Sequence, residues 1–475
     1  MKISFYDLDD FNEATTKEGG LAKAIENVVI WHRSSKDVDI AKTADKYAAR
    51  ENTTIKRFVN VYYSIAGVPV QDTLKPNHQL ACNYFDYLNS QRCNYSLGTG
   101  ISFDKPETMD VLGNNFADVI SQVGYYALIH GVCFIYRGRE TCREFLWTEF
   151  CPIMNYATGE IVKGVRYWQK DAESPLYVEF YEEDGMSTYV KTKEDTFLQI
   201  KEGGEKRAYF QTVQETEFNG ETTVVDEYNW SRLPIFPVYG SKHHCSTLPG
   251  MRSEIDAYDL GMSGFVNNMT DAQNILTIIS GYDGMNKADL IQLKDWMRTQ
   301  GIVQADEGKI DVKQIDHDVN GRVEFLKQLE TYIYAQFGGL DVHTVMAGQT
   351  NDHISAAYEP LNAQADDFED QITKGIRPLL AMLGIDDAPI FNRKAIANET
   401  ETIRSILDEY QAGLLDKQTA LRKLPNIDND EIEGILAELE GQEQARFDLM
   451  MAQQALAEQS ETEQNGDEGN EGDDE

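Results

Sequence analysis

The sequence predicts an α+β fold in which helical regions at both ends of the chain flank an antiparallel sheet. Helical spacing of apolar residues dominates from about residue 20 to 131 and returns at residue 253. Between these regions, residues 132–239 are rich in Tyr, Phe, Val and Thr and contain turn signals that separate short alternating runs. At 475 residues the chain is long enough for about three domains.

The first helical region is predicted over residues 20–90 and continues over residues 107–131. In the second part, apolar residues recur at roughly helical spacing, and Gly131 is placed to end the helix. These residues are Val111, Phe116, Val119, Ile120, Val123 and Ala127. We therefore expect one long helix just before the sheet.

The sheet region is predicted from three turn signals. Thr158-Gly159, Asp184-Gly185 and Asn219-Gly220 each separate two runs of alternating apolar and polar residues. Asn-Gly is the strongest two-residue hairpin signal. We therefore expect three β-hairpins within one antiparallel sheet.

The second helical region begins after a strand-like segment with two prolines, residues 234–240. A helix is predicted over residues 253–282 with Ser253 as its N-cap. Its apolar stripe comprises Ile255, Tyr258, Met262, Phe265, Met269 and Ala272. An amphipathic segment at 288–301 and a strand-like run at 301–306 follow, and a second helix is predicted over 322–337 with Gly338 as its cap.

The segment 338–355 lies between two predicted helices and combines glycines with an apolar middle. After it, a long stripe predicts a helix of about 28 residues and roughly 40 Å. The stripe comprises Leu361, Ala365, Phe368, Ile372, Ile376, Leu379 and Leu383. Because Pro378 cannot donate a backbone hydrogen bond and Gly375 reduces local stiffness, we expect a kink at residues 375–378.

The last part of the chain is predicted to be helical over residues 399–447, with breaks at Gly413 and Pro425. Residues 458–475 are acidic and of low complexity, and they contain too little apolar surface to offset the entropy lost on ordering. We expect this tail to be disordered.

The overall charge argues against a broad nucleic-acid-binding face. The chain has 43 basic and 80 acidic side chains, which give a formal charge of −37. We find no apolar run of about 18 residues and no signal-peptide pattern at the N-terminus. We therefore expect a cytoplasmic chain that does not bind membranes.

No motif indicates catalysis. The sequence has no GxxxxGK[ST] phosphate-binding loop, no GxSxG and no HExxH. The GxG formed by Gly98 and Gly100 favours a structural turn, and His130 favours a structural, partly buried imidazole. The cluster 243–245 favours a surface loop, since three adjacent side chains cannot all face one tetrahedral metal ion. We expect no enzyme, metal or other cofactor.

The six cysteines form no CxxC pair and show no regular spacing. This pattern favours reduced thiols that are mostly buried. We expect no disulfide framework.

Three segments, in order, resemble the portal proteins of tailed bacteriophages, in particular those of long-tailed phages of Gram-positive hosts. The first is PNHQLACNYFDYLNSQRCNYSLGTGISF at 76–103, although His78 and Gln79 stand where the family usually has Asn-Arg. The second, at 233–282, has a Pro-hydrophobic-Pro strand, then a helix with Ile-Asp-Ala-Tyr-Asp followed by Ser and Asn. The third is the helix, loop and long helix of residues 322–384.

The resemblance implies a portal fold with an α/β wing, a helical stem, a small α/β clip and a helical crown. The implied regions are wing 1–250, stem helix 251–272, clip 273–319, stem helix 320–339, tunnel loop 340–354, long kinked wing helix 355–384, crown 385–452 and disordered acidic tail 453–475. The implied function is a ring-shaped channel at one capsid vertex for DNA packaging and ejection.

The resemblance also implies the partners. They are further copies of the chain in a ring of twelve, double-stranded DNA without sequence specificity, the terminase large subunit, head-completion or neck proteins, and the major capsid and scaffolding proteins. It places the protein in the virion after assembly in the host cytoplasm.

The tunnel loop would contact DNA through short side chains that read no bases. These are Val342, His343, Thr344, Val345, Gln349 and Thr350, with Gly338, Gly339 and Gly348 as hinges. His343 and His353 could add charge near neutral pH, although solvated imidazoles are the simpler interpretation.

Two alternatives stay open from the sequence. One is a hydrolase with an acidic site that acts on a polymer and uses the 132–239 sheet as its substrate domain. The other is a different capsid or scaffold protein, which would form shells or no assembly where a portal forms rings.

Overall fold

The protein is a mixed α+β chain, described here from a computed structural model. The structure describes residues 2–17, 19–59, 61–63, 68–71, 75–196, 198–215, 222–271, 276–280, 288, 309–313, 319–341, 351–393, 399–423, 434, 436, 441, 450 and 451. The chain divides into two compact units. The first comprises Met1–Asp341 and Tyr358–Lys394, and the second comprises Val342–Ala357 and Ala395–Glu475.

The N-terminal part of the first unit is helical, with a short hairpin that the sequence did not predict. Its elements are β1 (Tyr6–Asp7), α1 (Leu8–Thr15), α2 (Gly20–Ser34), α3 (Lys36–Ala48), β2 (Val61–Tyr63), β3 (Pro69–Gln71) and α4 (Tyr84–Leu97). The expectation of mainly helix across 20–90 is therefore confirmed for α2, α3 and α4, but β2 and β3 form an antiparallel strand pair between them. Val and Tyr in β2 favour strand, and Pro69 is disfavoured within a helix.

The helix predicted over 107–131 is present as two helices. They are α5 (Glu107–Leu112) and α6 (Phe116–His130), and β4 (Ile101–Phe103) precedes them. The helix is interrupted at Gly113, where a Cβ would lie 2.6 Å from the Glu140 carbonyl oxygen. The predicted stop is confirmed, because Gly131 follows α6 with a left-handed φ of 95°.

The sheet region forms two main sheets and a separate hairpin instead of the single sheet that was predicted. Its strands are β5 (Val132–Arg137), β6 (Cys142–Leu146), β7 (Phe150–Asn155), β8 (Glu160–Trp168), β9 (Leu176–Glu182), β10 (Gly185–Lys191), β11 (Gln199–Ile200), β12 (Phe210–Glu215), β13 (Thr222–Tyr228) and β14 (Ile235–Tyr239). One sheet has the order β1-β7-β8-β9-β10-β11, and the other has β14-β5-β6. Strand β1 runs parallel to β7, which makes the larger sheet mixed.

The three predicted hairpins are confirmed as antiparallel pairs. They join β7 to β8, β9 to β10, and β12 to β13. The Asn219-Gly220 turn itself lies outside the described residues. The third hairpin is therefore confirmed by the pairing of β12 with β13 and not by the turn itself.

The second helical region contains α7 (Arg252–Asp271), β15 (Leu276–Ser280), β16 (Lys309–Lys313) and α8 (Val319–Phe337). The prediction of helix to residue 282 is wrong, because β15 pairs antiparallel with β16. Consecutive β-branched residues at 277–279 favour that strand. Ser253 is not the N-cap either: it lies in the first turn of α7, and its hydroxyl donates to Glu254 Oε2 at 2.8 Å.

The long helix is α9 (Asn351–Met382), followed by β17 (Pro389–Phe391), which pairs with β4. Its predicted stripe is confirmed up to Leu379, because Leu361, Ala365, Phe368, Ile372, Ile376 and Leu379 are all at most 2% exposed, whereas Leu383 lies in the turn after the helix and is partly buried. From Phe368 onwards the stripe packs with α6 and with apolar residues of β5 and β14 in one core cluster. The second unit contains α10 (Glu399–Gln411) and α11 (Lys417–Lys423), which confirms the predicted break near Gly413.

Candidate functional site

The residues predicted to contact DNA lie outside the part of the chain that the structure describes. These are Val342, His343, Thr344, Val345, Gln349 and Thr350, together with Gly348. The structure describes the chain up to Asp341 and again from residue 351. The candidate site is therefore built from the two helices that enter and leave this segment and from the elements that hold them.

The end of α8 is tightly packed around its two glycines. Gly338 has a left-handed φ of 66°, which confirms it as the residue after the helix, and a Cβ there would lie 2.9 Å from Gln364 Cγ. A Cβ at Gly339 would clash with the Leu88 side chain. These contacts give a local reason for both glycines, and their action as hinges stays a prediction.

Helix α4 holds the residue that follows these glycines through a side-chain amide. Gln91 Nε2 donates to the Leu340 carbonyl at 2.9 Å, and the Leu340 N–H donates to Gln91 Oε1 at 2.8 Å. One side chain thus satisfies both backbone groups of a buried residue, as a neighbouring strand would. We call this pair of hydrogen bonds the amide clamp.

Arg92, beside Gln91, binds the last residue of α8. Its Nη2 donates to the Phe337 carbonyl at 3.0 Å, and its guanidinium carbon lies 4.5 Å from the centre of the Phe337 ring. The side chain is buried, and burial lowers the pKa of Arg92 to about 10. The contact therefore combines a carbonyl at a helix C-terminus with a cation over an aromatic ring.

The same helix also holds α9. The Tyr95 hydroxyl donates to Asn362 Oδ1 at 2.7 Å, and its ring centre lies 5.8 Å from that of Tyr358. Arg393 extends this contact, since it lies 5.9 Å from the Tyr95 ring and donates to Glu369 of α9 at 2.6 Å. Helix α4 therefore contacts the chain on both sides of the segment between α8 and α9.

The predicted kink residues lie within one continuous helix. Helix α9 runs from Asn351 to Met382 and includes Pro360 as well as Pro378. A Cβ at Gly375 would lie 2.5 Å from Val238 Cγ2 and 3.0 Å from the Pro237 carbonyl oxygen. Glycine at 375 thus lets α9 approach β14 closely, and a kink at 375–378 stays a prediction.

Three side chains at four-residue spacing on α7 accept hydrogen bonds from backbone N–H groups of residues 78–82, just before α4. Asp259 accepts from the Cys82 N–H at 2.8 Å, and Ser263 accepts from the Leu80 N–H at 2.9 Å. Asn267 accepts from the His78 N–H at 2.7 Å. We call these three contacts the α7 ladder.

The ladder works because two periodicities nearly match. Four residues of an α-helix rise about 6.0 Å, and two residues of an extended chain advance about 6.6 Å. Side chains at positions i, i+4 and i+8 of a helix therefore meet alternate N–H groups of an extended segment. We call Asp259, Ser263 and Asn267 the rungs of the ladder. They are the second Asp of Ile-Asp-Ala-Tyr-Asp and the Ser and Asn that follow it in the segment that resembles portal proteins.

A buried polar cluster surrounds the first rung. Asn52 donates to Asp259 Oδ2 and to Asp256 Oδ1, both at 2.8 Å, and the Tyr47 hydroxyl donates to Asp256 Oδ1 at 2.6 Å. Burial raises the pKa of Asp259 above its ordinary value of 3.8, although the hydrogen bonds from Cys82 and Asn52 oppose this shift. The cluster fixes the start of α7 against α3.

Helices α7 and α8 pack on each other and leave several large apolar side chains exposed. The Gly261 backbone approaches Leu326, where an added Cβ would lie 3.2 Å from Cδ2. Large apolar side chains exposed by 37–56% are Leu260, Met269, Val319, Val323, Phe325 and Tyr332. The predicted α7 stripe is therefore only partly buried within one chain: Ile255 is 2% exposed, whereas Met269 is 56% exposed.

The other candidate residues have structural surroundings. His130 is buried, and its Nε2 lies 2.7 Å from Asp45 Oδ1, which agrees with the favoured structural interpretation. His244 stacks on Tyr239 with ring centres 3.7 Å apart, and Gly98 and Gly100 follow α4 in a turn. All six cysteines are free and four are buried, as expected.

The described residues contain neither a metal-binding cluster nor a membrane-spanning helix. No group of three or more His, Cys, Asp or Glu among them is arranged to hold a metal ion. None of the helices in the described ranges is long and apolar enough to cross a membrane.

Sequence patterns did not identify Gln91, Arg92 or the function of the α7 rungs. Helix α4 has no clear apolar stripe, and its buried residues include Asn89, Arg92 and Ser96. A buried arginine in so polar a helix is recognisable only once its carbonyl partner is known. The four-residue spacing of Asp259, Ser263 and Asn267 was visible, but polar residues on a helix normally indicate a solvated face.

Comparisons with known proteins agree with one another. The family model for phage portal proteins of the SPP1 Gp6-like type matches residues 29–445. The portal protein of Bacillus phage SPP1 is 22% identical over 439 residues, covering 82% of this chain and 81% of the relative. The portal protein of Clostridium phage phiCD119 is 22% identical over 396 residues, covering 75% of this chain and 83% of the relative.

A solved structure is also similar. A chain in the neck of a native GTA particle, computed with C12 symmetry, aligns with a TM-score of 0.41 and 11% identity, covering 72% of this chain and 90% of that one.

Proposed function

The chain belongs to the SPP1 Gp6-like family of phage portal proteins, and on this premise we propose that it forms a ring-shaped channel through which DNA is packaged and ejected. As a portal protein it is a structural, non-enzymatic component of the connector at the capsid vertex of the virion. The hydrolase alternative is thereby excluded, as is assignment to another class of capsid or scaffold protein.

The exposed apolar side chains of α7 and α8 support assembly into a ring. There are six large ones among the described residues of these two helices, which pack on each other. Copies arranged around a closed axis use head-to-tail interfaces, in which one surface meets a different surface of the next copy. We propose that the α7 face of one copy covers the α8 face of its neighbour, in a ring of twelve.

The charge of the chain supports a passage for DNA rather than a binding face. A formal charge of −37 per chain would be multiplied in a ring. A wall that repels phosphate does not hold DNA, whereas a basic wall would bind it with strong salt dependence. The proposed contact residues, Val342–Val345, Gln349 and Thr350, are uncharged apart from His343, so they would touch DNA without retaining it.

The proposed regions follow the family layout. Residues 1–250 with 355–384 form the wing, 251–272 and 320–339 the stem, 273–319 the clip and 385–452 the crown. We propose that the clip meets the terminase large subunit and then head-completion proteins. Major capsid and scaffolding proteins would contact the ring at the vertex.

The family match over residues 29–445 carries this proposal, and ring formation tests it. Native mass spectrometry and negative-stain imaging of the purified chain should show closed rings of one size. Phe325→Ala should lower the ring fraction several-fold, because Phe325 is 54% exposed on α8, at the edge of its contact with Gly261 of α7. Ile30→Ala is a matched control, since Ile30 is 55% exposed but lies on α2. A chain that stays monomeric in every condition would refute the proposal.

A second experiment tests the proposed tunnel loop. Deletion of residues 342–352 should leave rings intact but reduce the amount of DNA that is packaged or retained. The measurement is the DNA content of heads assembled with the deleted portal. Loss of rings on this deletion would show that the segment is structural.

A further inference from the structure

We propose that Gln91, Arg92 and Tyr95 on α4 are positioning residues that fix where the chain leaves α8 and where it rejoins α9. The inference rests on the proposed channel function, because the segment between these helices is the proposed DNA contact. It adds a fixed base on α4 to that function. It also argues against hinges at Gly338 and Gly339, because Leu88 packs against Gly339 and Gln91 holds the next residue, Leu340.

The three residues share one side of α4. At about 100° per residue, positions 91, 92 and 95 lie within an arc of about 100°. From this side the helix reaches Phe337 and Leu340 at the end of α8, and Tyr358 and Asn362 on α9. A single rigid helix thus sets the separation between the two ends of the segment.

The amide clamp specifies one register at the exit from α8. Gln91 bonds to both the N–H and the carbonyl of Leu340, whose side chain is 5% exposed. A shift of the chain by one residue would leave a buried N–H and a buried carbonyl unpaired, which is costly. The clamp therefore opposes slippage of the chain along α4, which a purely apolar contact would oppose only weakly.

Arg92 secures the same exit by a second means. Its guanidinium is buried and bonds to the Phe337 carbonyl, so displacement of α8 would leave a buried cation without this partner. The packing of Gly339 against Leu88 brings the chain close enough for both contacts.

The division of the chain into compact units agrees with these fixed points. The first unit ends at Asp341, one residue after the clamp, and resumes at Tyr358, whose ring lies beside Tyr95. The clamped residues thus lie at the limits of the unit that contains α4.

The test uses two substitutions at the clamp and a control on the same helix. Gln91→Met keeps the length of the side chain but removes both hydrogen bonds. Gln91→Glu keeps an acceptor for the Leu340 N–H and removes the donor to its carbonyl. Asn94→Ala is the control, because Asn94 is exposed on another side of α4.

Three measurements are made on the full chain and on heads assembled with it. They are the ring fraction by native mass spectrometry, hydrogen exchange of the Leu340 amide, and DNA content per head. Gln91→Met should form rings like the wild type, exchange the Leu340 amide about tenfold faster, and reduce DNA content several-fold. Gln91→Glu should lie between Gln91→Met and the control in exchange rate and in DNA content.

The outcomes separate this inference from the proposed function. If Gln91→Met accelerates exchange but packages DNA like Asn94→Ala, the positioning role is wrong and the channel stands. Unchanged exchange in Gln91→Met would show that the clamp does not hold Leu340. If the wild-type chain forms no rings, the proposed function itself fails, and this inference fails with it.

Discussion

Helices α6 and α7 have similar lengths but are held in place by different forces. Nine of the 15 residues of α6 are buried, and most of them are apolar and enclosed by α4, α9 and the β14-β5-β6 sheet. Among the α7 side chains that the structure describes, only Ile255, Asp259 and Ser263 are buried. Two of these three are polar rungs of the ladder.

The difference shows how the two regions are specified. Apolar burial is non-directional, so it fixes α6 strongly but sets its register only through side-chain shape. Hydrogen bonds contribute less net stability but require particular atoms to meet. Helix α7, the proposed stem helix, therefore obtains its position from directional contacts, and its exposed apolar residues are left for the contacts proposed with neighbouring copies.

The largest expected effect comes from removing apolar volume beside α6. Phe368→Ala should destabilise the chain by about 3 to 5 kcal/mol, because Phe368 is fully buried and packs near Gly124. The measurement is the free energy of unfolding from urea titration. Phe325→Ala, with its ring 54% exposed, should cost far less in the unassembled chain. Equal losses in the two variants would contradict the proposed contrast between core and outer face.

The next largest effect is expected at the first rung of the ladder. Asp259→Ala should cost about 2 to 3 kcal/mol, because it leaves the partly buried Cys82 N–H unpaired and removes one acceptor from the buried Asn52. Glu254→Ala on the same helix is the matched control. A cost below that of the control would show that the ladder does not position α7. The same urea titration measures both variants.

The effect should decrease along the ladder as the rungs become more exposed. Ser263→Ala should cost about 1 kcal/mol, and Asn267→Ala about half as much, because water can replace Asn267 at its exposed contact with His78. Hydrogen exchange of the Leu80 and His78 amides measures each rung separately. Equal losses of stability at Ser263 and Asn267 would show that the exposure of a rung does not determine how much it contributes.

The smallest expected effect is a change in pH dependence. Burial raises the pKa of Asp259, so between 3.8 and that raised pKa the folded chain binds more protons than the unfolded chain. The stability contributed by this group therefore falls as pH rises through that window and is level above it. Asp259→Asn should remove this slope in urea midpoints measured from about pH 4 to 7. If stability changed with pH equally in the wild type and in Asp259→Asn, the proposed contribution of Asp259 would be wrong.

Predictions based on periodicity matched the structure well where apolar residues face one core. The stripe from Leu361 to Leu379 and the three hairpins are present because burial and turn chemistry act locally along the chain. The prediction of one long helix over 107–131 failed at Gly113, where the close approach of the Glu140 carbonyl requires glycine. That contact depends on tertiary structure, and no local pattern reveals it.

The positioning residues were harder to predict for a related reason. Gln91 and Arg92 act on backbone carbonyls about 250 residues further along the chain, and a backbone group has no sequence signature. The family resemblance located the segments that contain them and the ladder. It did not assign them a role, because resemblance identifies a motif without the contact that requires it.

The α7 ladder has a consequence for how this sequence can vary. Its rungs bind the N–H groups of residues 78, 80 and 82, and Asp259 also bonds to the Cys82 thiol. The contacts at 78 and 80 are therefore compatible with almost any residue except proline, which agrees with His78 in a place where the family usually has Asn. A one-residue insertion or deletion would instead turn alternate N–H groups away from the helix. Length, rather than identity, is the property of this segment that related chains should preserve.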